Sequence, residues 1–285
     1  MKKIKLFFAL FIVLLGSAAC SYQAEEKASE IRAISYNIRY SGSPETDKEN
    51  HWEYRKQASI NMIKEETPTI MGVQEALLGQ LEFLANNLPD YSYYGIGRAD
   101  GKQKGEFMAI FYKKDKVELL DCGTFWLSDT PDTPSKGWEG QCYRTCTWTI
   151  FKDKQTGKQF AFFNTHLDHR GKQAQELGLK TITETIKKVI PNDIPIFLSG
   201  DFNTRTDNPI YQPLKAIMTD SRELAPKTDR RGTYNGWKER KDTVAVDHIF
   251  VRGVEVSEFQ VLRDKNYGVP YVSDQYPVLT IGRLQ

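Results

Sequence analysis

Short runs rich in β-branched and aromatic residues recur from Ile31 to Ile281, separated by helical stretches and unbroken by any internal repeat or low-complexity segment. A chain patterned this way must cover sheet faces with helices, which confines it to a layered α/β domain. The runs that read as strands are 31–38, 69–75, 106–113, 116–127, 143–151, 158–166, 194–201, 244–252 and 277–281. The helical stretches are 52–66, 78–87 and 173–190. In the last, Ala174, Leu177, Thr181, Ile182, Thr185, Ile186 and Val189 recur at three- and four-residue steps and predict one apolar stripe laid on a sheet.

Four of the strands end in side chains that an apolar core would not accept: Asn37, Glu75, His166 and Asp201. Each alone is explained as a strand cap. Together they predict convergence at one edge of the sheets, where layered α/β folds bind ligands.

The first nineteen residues read as an export signal. Lys2, Lys3 and Lys5 precede an apolar run from Leu6 to Leu15, too short to span a bilayer, which ends in Gly16-Ser17-Ala18-Ala19-Cys20. Small residues before a cysteine resemble a bacterial lipoprotein site, at which Cys20 carries the lipid. Ser17 stands where such sites usually have Leu, and Ser-Ala-Ala also suits an ordinary signal peptidase, so both exits stay open. The reading divides the chain into a signal (1–19), a polar tether (20–30) and one domain (31–285), placed in the bacterial cell envelope, membrane-attached through Cys20, and expected to be a monomer.

Removing residues 1–19 takes away three lysines and no acid, so the formal charge falls from +2 to −1. A nearly neutral domain lacks the broad positive field that attracts nucleic-acid backbones, and no dedicated nucleic-acid surface is evident. Cys122, Cys142 and Cys146 remain after Cys20. Their odd number gives no disulfide framework. A Cys142–Cys146 bridge would have to span roughly 13 Å of strand, a bridge from Cys122 stays open, and the default is small buried hydrophobes.

Seven short motifs follow in order: Ser35-Tyr36-Asn37-Ile38-Arg39, Val73-Gln74-Glu75, Gly105-Glu106-Phe107 leading to Phe111-Tyr112, Asn164-Thr165-His166-Leu167, Gly200-Asp201-Phe202-Asn203, Asp247-His248-Ile249-Phe250, and Ser273-Asp274-Gln275-Tyr276-Pro277. The series resembles the endonuclease/exonuclease/phosphatase superfamily, the metal-dependent phosphoesterases with a DNase I-like fold, over residues 31–281. Tracts at Gly97–Gly101, Gly123–Ser128 and Thr165–His169 further resemble an exported bacterial subgroup. The resemblance implies a four-layer α/β sandwich, two mostly antiparallel sheets face to face with helices outside, and a divalent-metal site at one rim.

The residue types make sense chemically without the family. A phosphate ester repels hydroxide, so a catalyst binds a cation, neutralises the phosphate and holds a water in line. Oxygen ligands suit Mg²⁺ or Mn²⁺: Glu75 is the best direct ligand, with Asn37 as a neutral oxygen beside it. The resemblance makes Asp274 a further ligand or a carboxylate behind one. It also gives Asp201 the task of activating water and Asn203 that of holding water and phosphate; spaced two apart, they point to one side of an extended segment. His166 is placed as a donor to a phosphate oxygen. Arg98 and Tyr112 are candidate phosphate contacts, and Trp138 and Trp237, in glycine-containing loops, are candidates for substrate selectivity.

One position departs from the family. Its last motif ends in histidine, oriented by the aspartate corresponding to Asp247, and this chain carries Gln275. Glutamine can donate a hydrogen bond but has no proton that titrates near neutrality. Of the other histidines, His248 should face the opposite side of its sheet, and His169 lies where it can reach the rim. The sequence therefore supports a slow metal-dependent hydrolase of a phosphorylated small molecule or phosphodiester. The alternatives are a binding module that keeps the site without turnover, and a nuclease.

Overall fold

The structure is a computed structural model that describes residues 29–241 and 243–285. The signal, Cys20 and most of the expected tether lie outside the described residues. Among the described residues thirteen strands form two sheets. The first contains β1 (Glu30–Asn37), β2 (Ile70–Ala76), β3 (Tyr91–Tyr94), β4 (Phe107–Lys113), β10 (Lys227–Thr228), β12 (Val254–Val261) and β13 (Val278–Leu284), in the order β10-β12-β13-β1-β2-β4-β3. The second contains β5 (Val117–Trp126), β6 (Thr145–Asp153), β7 (Gln159–His166), β8 (Ile196–Asp201), β9 (Thr219–Asp220) and β11 (Asp247–Arg252), in the order β5-β6-β7-β8-β11-β9. Pairing is parallel between β1 and β2, β7 and β8, and β10 and β12, and antiparallel elsewhere. The helices are α1 (Pro44–Asp47), α2 (Trp52–Glu66), α3 (Leu78–Asn87), α4 (Lys172–Val189), α5 (Gln212–Lys215) and α6 (Ser221–Leu224).

Three apolar clusters show why four layers form. Ile63 of α2 and Leu81 and Leu84 of α3 pack on Ile34, Met71 and Val73 of the first sheet. Ile31, Ile70, Ile110, Phe160, Phe162, Phe197 and Ile249 fill the space between the sheets. Leu179, Ile182 and Ile186 of α4 cover Phe163, Leu198 and Phe250 on the far face of the second sheet. Each face of each sheet is thus buried, which is why the central strands lack a clean polar alternation.

The local readings need four corrections. The strand from 244 begins only at Asp247, because Val244 to Val246 pair with the Thr233 region through isolated bonds instead of a ladder. Four strands lie outside the expected runs: β9 and β10 have two residues each, β3 has four, all half-buried, and β12 wets one face beside the glycine turn at Gly253 (φ +64°). The buried stripe of α4 runs through Gly178, Leu179, Ile182 and Thr183, rotated away from Leu177 and Thr181, which lie at its flank. Among the described residues the three cysteines are free thiols, and of these Cys146 alone is a buried hydrophobe; Cys122 and Cys142 are half-exposed.

Polar side chains lock the two sheets together near the rim. Asn164 Nδ2 donates to the carbonyls of Val73 and Ala109 at 2.9 Å, and Gln74 Nε2 donates to Asn164 Oδ1 at 2.6 Å. A Cβ at Gly72 would lie 2.2 Å from Ser199 Oγ, so the sheets approach this closely only with glycine there.

Candidate active site

The strand ends meet as a cleft of about 450 Å³ lined by Arg39, Tyr40, Glu75, Arg98, Glu106, Cys142, Arg144, His166, His169, Asp201, Asn203 and Gln275. Local backbone geometry aims the key groups. The β2–β4 register shifts between Val73 and Ala76, and Glu75 sits at φ +63°, so a bulge turns its carboxylate out of the ladder. Asn203 follows β8 at φ +51°, with its N–H donating to Asp201 Oδ1 at 2.9 Å. Backbone strain held this way on non-glycine residues marks positions that the surroundings over-determine.

Glu75, His166 and Asp201 each offer a ligand atom within 4.8 Å of the others. Asn37 ties the carboxylates together: its Nδ2 donates to Glu75 Oε1 at 2.9 Å and to Asp201 Oδ2 at 3.0 Å. Its own oxygen accepts from Arg39 N at 2.9 Å, so Asn37 here holds the carboxylates instead of presenting oxygen to the pocket. Asn203 Nδ2 donates to His166 Nε2 at 2.9 Å, leaving the His166 Nδ1 buried without a partner. Burial drives the His166 pKa well below its usual value, and the Arg144 and Arg98 charges push in the same direction.

Gln275 is built into this network. Its Nε2 donates to Asp201 Oδ2 at 2.8 Å, and its Oε1 is buried without a partner. Asp247 lies opposite Asp201 in the β8–β11 ladder, with both carboxylate oxygens unpartnered. Burial and then the Asp201 charge raise the Asp247 pKa well above the usual range. The Asp201 pKa is raised as well, by burial first, and burial followed by Glu75 pushes that of Asp274 up to about 6. Acids crowded so closely that they raise one another's pKa values are a ligand set suited to a divalent cation, which would supply the missing positive charge. Glu75 is the carboxylate placed to hold it, with Asp201 and His166 offering atoms within 4.8 Å.

Three arginines line the same cleft. Arg98 forms two 2.7 Å contacts with Glu106. Arg144 Nη2 lies 3.2 Å from His169 Nδ1, while its Nε and Nη1 are buried without hydrogen-bond partners. Arg39 Nη1 is 3.9 Å from Glu75 Oε2.

Of the residues expected from sequence, Asn37, Glu75, Arg98, His166, Asp201, Asn203, Asp247, Asp274 and Gln275 gather at this rim. His169 does reach it, and His248 faces away, its Nδ1 2.9 Å from Asp220 Oδ2. Tyr112 must be corrected: it pairs with Ile70 at the far end of β2 and packs 5.0 Å from the Phe151 ring, because β4 runs antiparallel to β2 and enters the rim at Phe107 instead. Trp138 lies outside the cleft lining, on the loop that leads to Cys142, and Trp237 stacks over the Arg55 guanidinium at 5.3 Å. The sequence reading did not single out Arg39, Tyr40, Glu106, Cys142 or Arg144. Arg39 and Glu106 stood inside motifs, whereas nothing in the local pattern marked Arg144.

Residues 34–274 match the model of the Endonuclease/Exonuclease/phosphatase family, and the chain belongs to that family. A solved family member from Bacteroides thetaiotaomicron is 35% identical, with a TM-score of 0.84 over 91% of this chain and 99% of its own. A mannosyl-6-phosphatase from the same organism is 36% identical, with a TM-score of 0.83 over 88% of this chain and 98% of its own. An uncharacterized protein of Acanthamoeba polyphaga mimivirus is 28% identical over 249 residues, 81% of this chain and 91% of that protein. The fold is thus of the phosphoesterase and nuclease type, and the Gly72, Gln74, Asn164 and Ser199 contacts explain how this chain builds it.

Proposed function

We propose that the protein is a divalent-metal-dependent hydrolase of small phosphate monoesters, with a hydroxyl-rich alcohol such as a sugar as leaving group, acting outside the cytoplasm. The observation that carries this reading is the combination within one cleft of about 450 Å³ of the Glu75 and Asp201 carboxylates with Arg39, Arg98 and Arg144. The volume suits a small ester, and the Arg98–Glu106 pair offers donors and an acceptor to hydroxyl groups. A mannosyl-6-phosphatase at 36% identity agrees with that substrate class.

A bound Mg²⁺ or Mn²⁺ would neutralise the phosphate and favour hydroxide formation from water. Asp201, its Oδ2 held by Asn37 and Gln275, is positioned to orient and deprotonate the attacking water. Asn203 and His166 face the same space, and an incoming anion offsets the Arg144 and Arg98 charges that add to burial in keeping His166 neutral. Gln275 fixes Asp201 but cannot shuttle a proton, which makes the reaction slow.

Phosphate release from a panel of sugar phosphates, nucleotides and diesters with Mg²⁺ or Mn²⁺ tests the proposal, with the Glu75→Ala, Asp201→Ala double variant as blank. Rates no higher than the blank would end it. Efficient nicking of supercoiled plasmid would favour a nuclease instead. The orphaned Asp247 carboxylate and Gln275 Oε1 favour a second reading, a binding site without turnover. Ligand affinity by calorimetry without hydrolysis, together with hydrolysis gained in Gln275→His, would select it. Lipid attachment at Cys20 is carried by the amino-terminal sequence alone, and loss of palmitate labelling in Cys20→Ser checks it.

A further inference from the structure

The stretch between β12 and β13 carries Asp274 and Gln275, yet residues 262–277 make no ladder beyond one bridge from Gln275 to Tyr234. Its carbonyls need other donors, and the position of two site residues depends on what supplies them. Arg55 of α2 supplies one. Its side chain is 1% exposed and forms no ion pair among the described residues. Instead its guanidinium is spent on main-chain carbonyls: Nη1 donates to Val272 O at 2.9 Å and to Ile38 O at 2.5 Å, Nη2 to Arg39 O at 2.7 Å, and Nε to Asn50 O at 2.8 Å. One planar fork therefore ties the segment just after Asn37 to the segment just before Asp274.

The 233–240 loop closes the other side. Asn235 N and Gly236 N both donate to Asp274 O at 2.9 Å, and Asn235 Nδ2 donates to Ser273 O at 3.1 Å. The same loop lays Trp237 over Arg55 at 5.3 Å, while Trp52 lies 5.4 Å from the guanidinium carbon. The cation is thus flanked by two indoles, its charge directed at peptide dipoles. Lysine, a point donor on a flexible stem, cannot span carbonyls from three separate segments.

We infer that Arg55 is a positioning residue: through backbone carbonyls it holds Asn37, Asp274 and Gln275 in register with Glu75 and Asp201, and Trp237 caps it. Trp237 therefore serves the metal wall of the cleft and not substrate selectivity. The inference rests on the metal-dependent reading above for its consequence, though not for the clamp itself.

The test uses the full mature chain and the variants Arg55→Lys, Arg55→Met and Trp237→Leu, with two readouts. Amide hydrogen exchange over residues 36–42 and 268–277 reports the clamp with or without metal, and Mn²⁺ titration followed by electron paramagnetic resonance reports the site. Both Arg55 variants should speed exchange in those two segments by roughly tenfold or more while leaving β5–β7 protected. They should weaken Mn²⁺ binding by about 10- to 100-fold, as loss of a group that orients ligands does. Trp237→Leu should weaken it by roughly two- to fivefold. Exchange at wild-type rates in Arg55→Lys, or a lowered Tm with unchanged Mn²⁺ affinity, would overturn the inference. If Arg55→Met does not fold, Arg55→Lys and Trp237→Leu decide. A wild-type protein that binds no Mn²⁺ would instead overturn the proposed activity, and exchange would still judge the clamp.

Discussion

The two walls of the cleft are built differently. Asn37, Glu75, His166, Asp201 and Asp247 stand at strand ends, with main chains fixed by ladders of both sheets and by the Gln74–Asn164 lock beneath. Arg39, Arg98 and Arg144 reach in from connecting segments, and Arg144 keeps two buried nitrogens without hydrogen bonds, one of them 3.8 Å from Asp168 Oδ2. On the proposed hydrolase reading the first wall is set to the precision that bond making requires, whereas the second, its arginines already paired with Glu106, Asp47 and Asp168, would exchange part of that pairing for a substrate anion. A defect in the first should therefore appear in kcat, and a defect in the second in KM.

The largest expected effect breaks the first wall. Asp201→Asn keeps the shape and loses the base, so kcat should fall by ~10²- to 10⁴-fold with KM little changed. Steady-state kinetics at saturating Mn²⁺ checks this. A fall confined to KM would show that the two walls do not divide the labour as described.

A pH effect of on the order of 2–3 kcal/mol follows from Asp274, whose carboxyl is pushed up to about 6 by burial and then by Glu75. The folded state then holds a proton that the unfolded chain releases near its ordinary value, so metal-free protein is more stable at acid pH. Stability should fall as pH rises from about 4 to 6 and stay lower above that window. Denaturant unfolding across that range should show the slope, Asp274→Asn should reduce it while the raised Asp201 and Asp247 carboxyls keep a remainder, and saturating Mn²⁺ should weaken it further.

The second wall offers a smaller effect. Arg144→Met keeps the buried stem and removes the donors, so kcat/KM should drop by the loss of a charged hydrogen bond, about 1.5–3 kcal/mol or roughly 10- to 150-fold. The drop should lie mainly in KM and shrink for substrates lacking a second polar group. An equal loss in kcat would place Arg144 on the reacting phosphate itself.

The same division explains what was legible in the sequence. Asn37, Glu75, His166 and Asp201 announced themselves because a polar residue ending an apolar run is costly unless used. Helices 52–66 and 78–87 were read to the residue, since their ends carry turn signals on both sides. Arg144 was not legible, because a lone arginine before a strand has no periodicity to break, and only the fold carries it beside His169. Tyr112 was misassigned for the complementary reason. Its motif lies on the right strand, but direction decides which end faces the rim, and β4 runs away from it.

That misassignment supplies the smallest and sharpest comparison. Tyr112 and Tyr40 are both tyrosines attached to family motifs, but Tyr40 lines the cleft, with its N–H 3.3 Å from Glu75 Oε2, whereas Tyr112 stands at the level of Ile70. Five residues along a strand separate Ile70 from Glu75, roughly 16 Å, far beyond the reach of a phenol. Tyr112→Phe should therefore leave kcat/KM within about twofold of wild type, as a change away from the site does. Tyr40→Phe removes a hydroxyl from a residue that lines the cleft and should change KM for hydroxyl-rich substrates by severalfold. If Tyr112→Phe proved the more damaging, the substrate would have to extend along the sheet and not end in the cleft, and the small-ester reading would give way to one in which a longer phosphodiester runs across the molecule.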